Sequence, residues 1–335
     1  MYNILEKWNN YSLFTEKEYE FINTTNPTEK IIDPKKYIEF ENEYFNLLPF
    51  SNISSETYNV RLADCATTLI KQLFSHYVND NTLIICSDLE HANVKEIISH
   101  YKQNNIFYIN YQNIQTNFLL LLDKIKDYQN IFVYCIGTTI SNGIIAPQHV
   151  FQKLKGYFIE NNKQYKMVLD DIQGMFLVPR DYSVFDYIIN TGHSLITNYN
   201  AGMVIYKKEL WCPGEEIYNW GEGYIERVKL LLTKFNKINI FNLVCKQYFE
   251  YLLKDNRFSF PNNTCNHIFS IQTRDLKFNK SMRDLMDKYY IKLEGAEKEN
   301  NKNIFIRFRA QQFILNHNVL LSGVKKLEQL IKIVK

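Results

Sequence analysis

The chain has 335 residues, of which 46% are hydrophobic and 15% aromatic, so it is long enough for about two domains with a large core. The formal net charge is only +3, and no run of lysines and arginines supports nucleic-acid or membrane-surface binding. The six cysteines lie far apart and form no Cys-x-x-Cys pair, which argues against a zinc site and a disulfide scaffold. No apolar run approaches the length of a membrane span. We therefore expect a reduced, cytoplasmic, globular protein that binds no metal, nucleic acid or membrane.

Residues 1–55 have weak apolar periodicity, and we expect short helices and extended pieces there that wrap a partner or a neighbouring domain. After them, helical spacing alternates with short, nearly all-apolar runs that are typical of strands buried on both faces. In chain order, the pattern predicts helix 62–77, strand 82–86, helix 93–101, strand 106–109, helix 118–125, strand 131–135, helix 149–158, and strands 166–169, 187–189 and 203–206. This alternation predicts an α/β fold with a mostly parallel sheet covered by helices on both faces.

The pattern changes after residue 214. One long helical pattern spans 224–253, and the strands that follow are short or alternating. The predicted elements are strands 268–271, 290–293 and 304–308 and helices 281–288 and 319–334. They indicate a smaller α+β domain with an antiparallel sheet. The expected organisation is a wrapping segment 1–55, a large domain 56–240 and a small C-terminal domain 241–335.

Residues that can carry chemistry follow four predicted strands at their carboxyl ends, where open parallel sheets bind their ligands. A lone histidine after a strand is more often structural, and an aspartate there is often a helix cap. The coincidence of four such strand ends nevertheless predicts a binding site at this edge. The residues concerned are His91 after the first strand, Thr138 and Thr139 after the third, Asp170 and Gln173 after the fourth, and Thr191 and His193 after the fifth.

This ordered set resembles the pyridoxal-phosphate (PLP) enzymes of the aspartate aminotransferase fold, and most of all the group II amino-acid decarboxylases on the histidine and serine decarboxylase branch. The resemblance spans roughly residues 58–208. Its motifs are Ser-Asp-Leu-Glu-His-Ala-Asn-Val-Lys at 87–95, Gly-Thr-Thr-Ile-Ser-Asn-Gly at 137–143, Leu-Asp-Asp-Ile-Gln-Gly at 169–174 and Thr-Gly-His-Ser at 191–194. It implies a PLP-transferase-like fold, PLP as cofactor, a small amino-acid-like substrate and a homodimer.

The resemblance also implies a role for each motif residue. His91 would stack on the cofactor ring, and Asp170 would keep the ring nitrogen protonated, so that the ring accepts electrons from a breaking Cα bond. Arg307 would bind the substrate carboxylate, although that motif is less specific. An alternative for Asp170 is a helix cap or an ion pair with an arginine such as Arg180. The other implied cofactor contacts are Thr138, Thr139, Gln173, Thr191 and His193.

Three positions depart from the family pattern. Ser194 stands where the family has the lysine that binds the cofactor aldehyde covalently, and a serine hydroxyl cannot form that bond. The nearest lysines, Lys207 and Lys208, fall at the far end of the next predicted strand. Asp64 begins the helix that carries the phosphate in the family, where its charge would repel an anion. Ile172 replaces the small residue expected beneath the ring.

Two functions therefore stay open. The first is a PLP-dependent decarboxylase or related lyase that acts on an amino acid or amino-acyl group, with Ser194 at the lysine position and slow or specialised turnover. The second is a catalytically inactive homologue that serves as a binding or regulatory subunit. The intact pair His91 and Asp170 favours a role that involves the cofactor. A serine introduced to trap an intermediate is a third explanation, but it would leave Asp64 unexplained.

Overall fold

The computed structural model describes residues 17–18, 34–48, 52–63, 65–140, 143–191 and 202–214, and short stretches or single positions between 225 and 329. No helix in this described part of the chain is long and apolar enough to cross a membrane. The chain divides into two compact units. The larger unit comprises Ile22–Thr139 and Ala146–Leu231, and the smaller comprises Met1–Phe21, Ile140–Ile145 and Leu232–Lys335. The three-part division at residues 55 and 240 stays a prediction.

A seven-stranded sheet forms the centre of the larger unit, in the order β1-β7-β6-β5-β4-β2-β3. Strands β2 to β6 pair in parallel, whereas β7 runs antiparallel to both of its neighbours, β6 and β1. The carboxyl ends of β1 to β6 therefore all lie at one edge of the sheet, and β7 begins at that edge. The strands are β1 (Tyr58–Ala63), β2 (Thr82–Ser87), β3 (Ile106–Ile109), β4 (Asn130–Ile136), β5 (Gln164–Asp170), β6 (Tyr187–Thr191) and β7 (Gly202–Lys207).

Helices cover both faces of this sheet. Phe74 of the second helix packs on one face, with its ring centroid 5.5 Å from that of Tyr134. Phe158 of the fifth helix packs on the other face, with its ring centroid 5.2 Å from that of Tyr165. Strands β2 and β6 are buried along their whole length, as doubly covered strands are, and the apolar run 83–86 of β2 reflects that burial. The helices are α1 (Pro34–Leu47), α2 (Ala66–Tyr77), α3 (Ala92–Ser99), α4 (Ile114–Lys126) and α5 (Gln148–Glu160).

The predicted α/β fold class is confirmed, with one error at the start of the large domain. The helix predicted over 62–77 begins only at Ala66, because residues 58–63 form strand β1. In that strand Tyr58, Val60 and Leu62 are buried and alternate with the half-buried Asn59 and Arg61, which is the period-two pattern of a strand at the edge of a sheet. Leu62 lies at helical spacing from Ala66 only by coincidence.

The smaller unit contains an antiparallel sheet of β8 (Phe258–Ser259), β9 (Ile268–Thr273) and β10 (Ile304–Arg309). Strands predicted over 268–271 and 304–308 are thereby confirmed. The strand predicted over 290–293 and the helix over 281–288 lie outside the described residues, as does all but one residue of the helix over 319–334. Gly143 has φ +69°, and a Cβ there would meet the Ile268 carbonyl oxygen at 1.9 Å. Only glycine fits that position.

Candidate functional site

The sheet topology brings most of the predicted site residues to one edge. Each follows or ends a strand whose carboxyl end lies there. Arg307 lies on β10 of the smaller unit, where its backbone pairs with Ser270, and its side chain lies outside the described part of the chain. Three further residues of the prediction, Asp64, His193 and Ser194, also lie outside it. Those placed at the edge are His91, Thr138, Thr139, Asp170, Gln173 and Thr191.

Asp170 is the last residue of β5 and is only 3% exposed. The Tyr134 hydroxyl donates to its Oδ2 at 2.7 Å, and the backbone N–H of Ile172 donates to its Oδ1 at 3.2 Å. Burial raises the pKa of this carboxyl to about 6, and the two hydrogen bonds offset that shift only in part. None of the ion pairs among the described residues includes Asp170. Asp170 is therefore a buried carboxyl with a raised pKa, and the described residues place no cation beside it.

The next residue, Asp171, does have a cation. Arg180 Nε donates to its Oδ1 at 2.9 Å, and the Tyr182 hydroxyl donates to its Oδ2 at 2.7 Å. Arg180 also donates to the Gly137 carbonyl oxygen and, at 2.7 Å, to Thr138 Oγ1. The alternative in which Arg180 pairs with Asp170 is therefore wrong. The arginine lies with Asp171 and ties the turn after β5 to the turn after β4, so the Thr138 hydroxyl belongs to this network.

His91 is the N-cap of α3, where its Nδ1 accepts a hydrogen bond from the Asn93 backbone N–H at 3.2 Å. The Asn93 side chain in turn donates to the Thr67 hydroxyl at 3.4 Å, which links the first turns of α3 and α2. At the start of α2, the Cys65 side chain makes no capping hydrogen bond. A Cβ on Gly202 would lie 2.5 Å from the Cys65 carbonyl carbon, so glycine is needed for β7 to begin this close to α2. Two helix N-termini thus meet at the carboxyl edge of the sheet.

Glu90, which precedes His91, is a second buried carboxyl at this edge and is 4% exposed. Its Oε1 accepts hydrogen bonds from the backbone N–H groups of Ser87 at 3.0 Å and Ile136 at 3.1 Å, the last residues of β2 and β4. Its Oε2 is buried without a partner among the described residues. Burial and, after it, the charge of Asp170 raise the pKa of Glu90 well above its ordinary value.

Lys207, the last residue of β7, and Lys208, which follows it, lie at the opposite edge of the sheet. Lys207 is the last residue of this antiparallel strand, pairs with the first residue of β1, and forms an ion pair with Asp186 at 2.6 Å. The backbone N–H of Lys208 donates to the Thr57 carbonyl oxygen, just before β1. Six strand residues span about 17 Å, so neither side chain reaches the edge that carries Asp170.

The sequence pattern missed the partners of the candidate residues. Tyr134 lies within a continuous apolar strand, so nothing in the pattern shows that its hydroxyl meets Asp170. Glu90 lies within the motif at 87–95, but residue type alone does not reveal that it is buried. The one feature of the sequence that could have identified Glu90 is its charge. A carboxylate directly between a buried strand and the start of a helix is either solvated or hydrogen-bonded to the backbone.

No protein-family model and no curated protein matches this sequence. Solved structures do match. A NifS-like protein from Rickettsia africae has a TM-score of 0.68 and 14% identity, over 94% of this chain and 96% of that chain. A serine palmitoyltransferase from Sphingomonas wittichii has a TM-score of 0.65 and 10% identity, over 95% and 83%. A tryptophan decarboxylase from Catharanthus roseus, solved with L-tryptophan, has a TM-score of 0.63 and 11% identity, over 92% and 78%. At these identities the likeness shows the fold, which is PLP-transferase-like.

Proposed function

We propose that the chain binds pyridoxal 5′-phosphate at the carboxyl edge of its sheet without a covalent lysine link. We further propose that it acts on an amino acid or amino-acyl group as a decarboxylase- or lyase-like protein. The observation that carries the proposal is Asp170, a buried carboxyl with two hydrogen-bond donors and no cation among the described residues. A protonated pyridine nitrogen is a cationic N–H donor, which such a carboxylate binds in preference to a neutral group.

Two other described features at this edge fit the cofactor, whereas Ile172 differs from the small residue that the resemblance places beneath the ring. His91 is fixed at the start of α3 by its bond to the Asn93 backbone, and an imidazole there can pack on the face of a ring. The first turn of α2 has no side-chain cap from Cys65, and backbone N–H groups at a helix start favour a phosphate. When bound, the cofactor supplies a ring that takes up the electron pair released at a substrate Cα bond. Asp170 holds the proton on the ring nitrogen that this chemistry requires.

Binding without a covalent link follows from the lysine positions. Ser194 occupies the motif position of the family lysine, and Lys207 and Lys208 lie at the far edge of the sheet. Without that amine, a cofactor is held only by noncovalent contacts, and one acid–base group is missing from the reaction. We therefore expect slow or specialised turnover.

A second candidate function is a catalytically inactive homologue that acts as a binding or regulatory subunit. One observation favours it: both oxygens of Asp170 already accept a hydrogen bond within the protein, so the fold tolerates this carboxyl without a ligand. Ser194 and Asp64 in the sequence favour it as well. Under this alternative, replacement of Asp170 changes stability alone.

An absorbance titration with PLP, followed by borohydride reduction and peptide mass mapping, tests the first function. We expect saturable binding with an absorbance change and no lysine peptide that carries the reduced cofactor. Recovery of one modified lysine in high yield would show that the motif at 191–194 was wrongly aligned. Absence of saturable binding by wild type would favour the inactive homologue.

We also propose that the chain forms a homodimer, because the resemblance places active sites of this fold at a dimer interface. Light scattering at micromolar concentration is expected to give twice the 40.0 kDa mass of the chain. A strict monomer would contradict the dimer and remove half of the expected lining of the site.

A further inference from the structure

Two buried carboxyls lie at the carboxyl edge of the sheet: Asp170 ends β5, and Glu90 lies in the turn after β2 and binds the end of β4, the strand between β2 and β5. Ile136, whose backbone N–H binds Glu90, pairs in register with Asp170 on the adjacent strand β5. Adjacent strands are about 4.8 Å apart, and the charge of Asp170 acts directly on Glu90, so the two carboxyls lie near each other. Two carboxylates so close and so deeply buried cannot both be ionised at low cost.

The hydrogen bonds identify which carboxyl keeps a proton and on which oxygen. Glu90 Oε1 accepts two backbone N–H groups and has no room for a hydrogen of its own. Oε2 is buried and has no donor directed at it from the described residues. A negative charge on Oε2 would be unsolvated, whereas a hydroxyl there is a neutral donor. Asp170, in contrast, has a donor on each oxygen, an arrangement that favours its ionised form.

We propose that Glu90 is a neutral carboxylic acid and a positioning residue of this site: Oε1 ties the ends of β2 and β4 together, and the Oε2 hydroxyl supplies a hydrogen-bond donor beside Asp170. The protonation state of Glu90 does not depend on the proposed function. Only the identity of the ligand that accepts the hydrogen bond from Oε2 rests on it. Buried donors are almost always satisfied by protein, water or ligand. The chemistry that fits the Oε2 hydroxyl is an oxygen or nitrogen acceptor on the bound ligand.

The groups around Glu90 agree with a neutral acid. The charge of Asp170 opposes its ionisation, and the cation that acts on it from the described residues is Lys95, an exposed residue of α3 with a smaller effect than burial and Asp170. The titratable groups that act on Glu90 or respond to its charge, among the described residues, are Cys86 on β2, Tyr111 after β3, Tyr134 and Cys135 on β4, Asp170 on β5 and Lys95 on α3.

The test compares E90Q and E90M with wild type, and E96Q serves as the control, because Glu96 is an exposed carboxylate on the same helix α3. Infrared spectra of the protein without cofactor at pH 8 report the carbonyl band of protonated carboxylic acids. We expect this band in wild type and E96Q and its loss in E90Q. A wild-type spectrum without the band, or an E90Q spectrum that keeps it unchanged, would overturn the proposal.

Thermal melting and PLP titration of the same variants form the second part of the test. Glutamine keeps a carbonyl for the two backbone N–H groups and a donor at the Oε2 position, so E90Q should melt like wild type and bind PLP within about twofold. Methionine supplies neither the acceptor for the backbone N–H groups nor the donor at the Oε2 position, so we expect the PLP affinity of E90M to fall at least tenfold. A tenfold loss of PLP affinity in E90Q would show that binding requires the charge of Glu90 and would contradict a neutral acid.

If E90M does not fold, the infrared spectrum of wild type and the results for E90Q still test whether Glu90 is neutral. If wild type shows the band but binds no PLP, the proposed function fails while the neutral acid stands.

Discussion

Two consecutive residues, Asp170 and Asp171, occupy almost the same depth in the protein and differ in one respect. Each is buried, and each accepts a hydrogen bond on Oδ2 from a tyrosine hydroxyl at 2.7 Å, Tyr134 in one case and Tyr182 in the other. Asp171 also has Arg180 at 2.9 Å, and Asp170 has no cation among the described residues. Burial raises the pKa of both carboxyls, and Arg180 opposes that shift at Asp171.

We propose that the difference separates a structural carboxylate, Asp171, from one that binds a ligand, Asp170. At Asp171 the charge is neutralised inside the protein, and the pair fastens two turns together. At Asp170 the described part of the chain supplies no partner cation, at the edge where ligands of such sheets bind. A buried charge is costly, so a position that keeps one is a candidate for binding a cationic group from outside. The following variants test this comparison.

The largest effect is expected for D171N, which leaves the Arg180 guanidinium buried without its carboxylate. Loss of one partner of a buried ion pair typically costs about 3–5 kcal/mol. Urea unfolding should show a loss of that size, whereas D123N, which removes an exposed pair with Lys126, should leave the unfolding free energy unchanged within error. A loss below about 1 kcal/mol in D171N would mean that Arg180 finds another partner.

D170N should act in opposite directions on stability and on binding. The folded-state pKa of Asp170, about 6, lies above the ordinary value of 3.8, so the stability that this carboxyl contributes is present at acid pH and lost as the pH rises through 6. Asparagine does not ionise, and D170N should therefore be more stable than wild type at pH 8, by up to about 3 kcal/mol, with no difference near pH 4.

The same variant should bind PLP at least tenfold more weakly, because an amide does not keep a ring nitrogen protonated. Urea unfolding at several pH values and PLP titration measure the two effects. Equal PLP affinity in D170N and wild type would favour the inactive homologue over the cofactor-binding protein.

The two tyrosines provide a matched pair. Y134F and Y182F each remove one hydroxyl donor to a carboxylate, and each should lower stability by about 1–2 kcal/mol. Only Y134F should also alter PLP binding: loss of the donor raises the pKa of Asp170 further, so the affinity should fall at neutral pH and recover as the pH rises. A change of PLP affinity in Y182F equal to that in Y134F would remove the distinction between the two carboxylates.

The smallest effect is expected for T138V, which removes the hydroxyl that accepts a hydrogen bond from Arg180. Stability should fall by about 1 kcal/mol, with unchanged PLP affinity, because the described hydroxyl serves the arginine network. A clear loss of PLP affinity without a loss of stability would instead support Thr138 as the cofactor contact that the family resemblance implies.

The sequence by itself determined the α/β class and the edge of the sheet that carries the site. Continuous apolar runs such as 82–86 and 131–135 have no other low-energy place than a doubly covered strand, and parallel strands bring their carboxyl ends together. The strand at 58–63 escaped detection, because a short alternating strand is weaker in pattern than the helix that follows it.

Tertiary structure alone decided which charges meet. Asp170 and Asp171 are indistinguishable as residue types in a chain, and Arg180 lies nine and ten positions beyond them. The path of residues 171–182 brings the arginine to Asp171, while Tyr134 on the neighbouring strand reaches Asp170. Hydrophobic periodicity specifies which side chains are buried, but pairing of buried polar groups depends on strand register and turn geometry, which involve atoms far apart in the sequence.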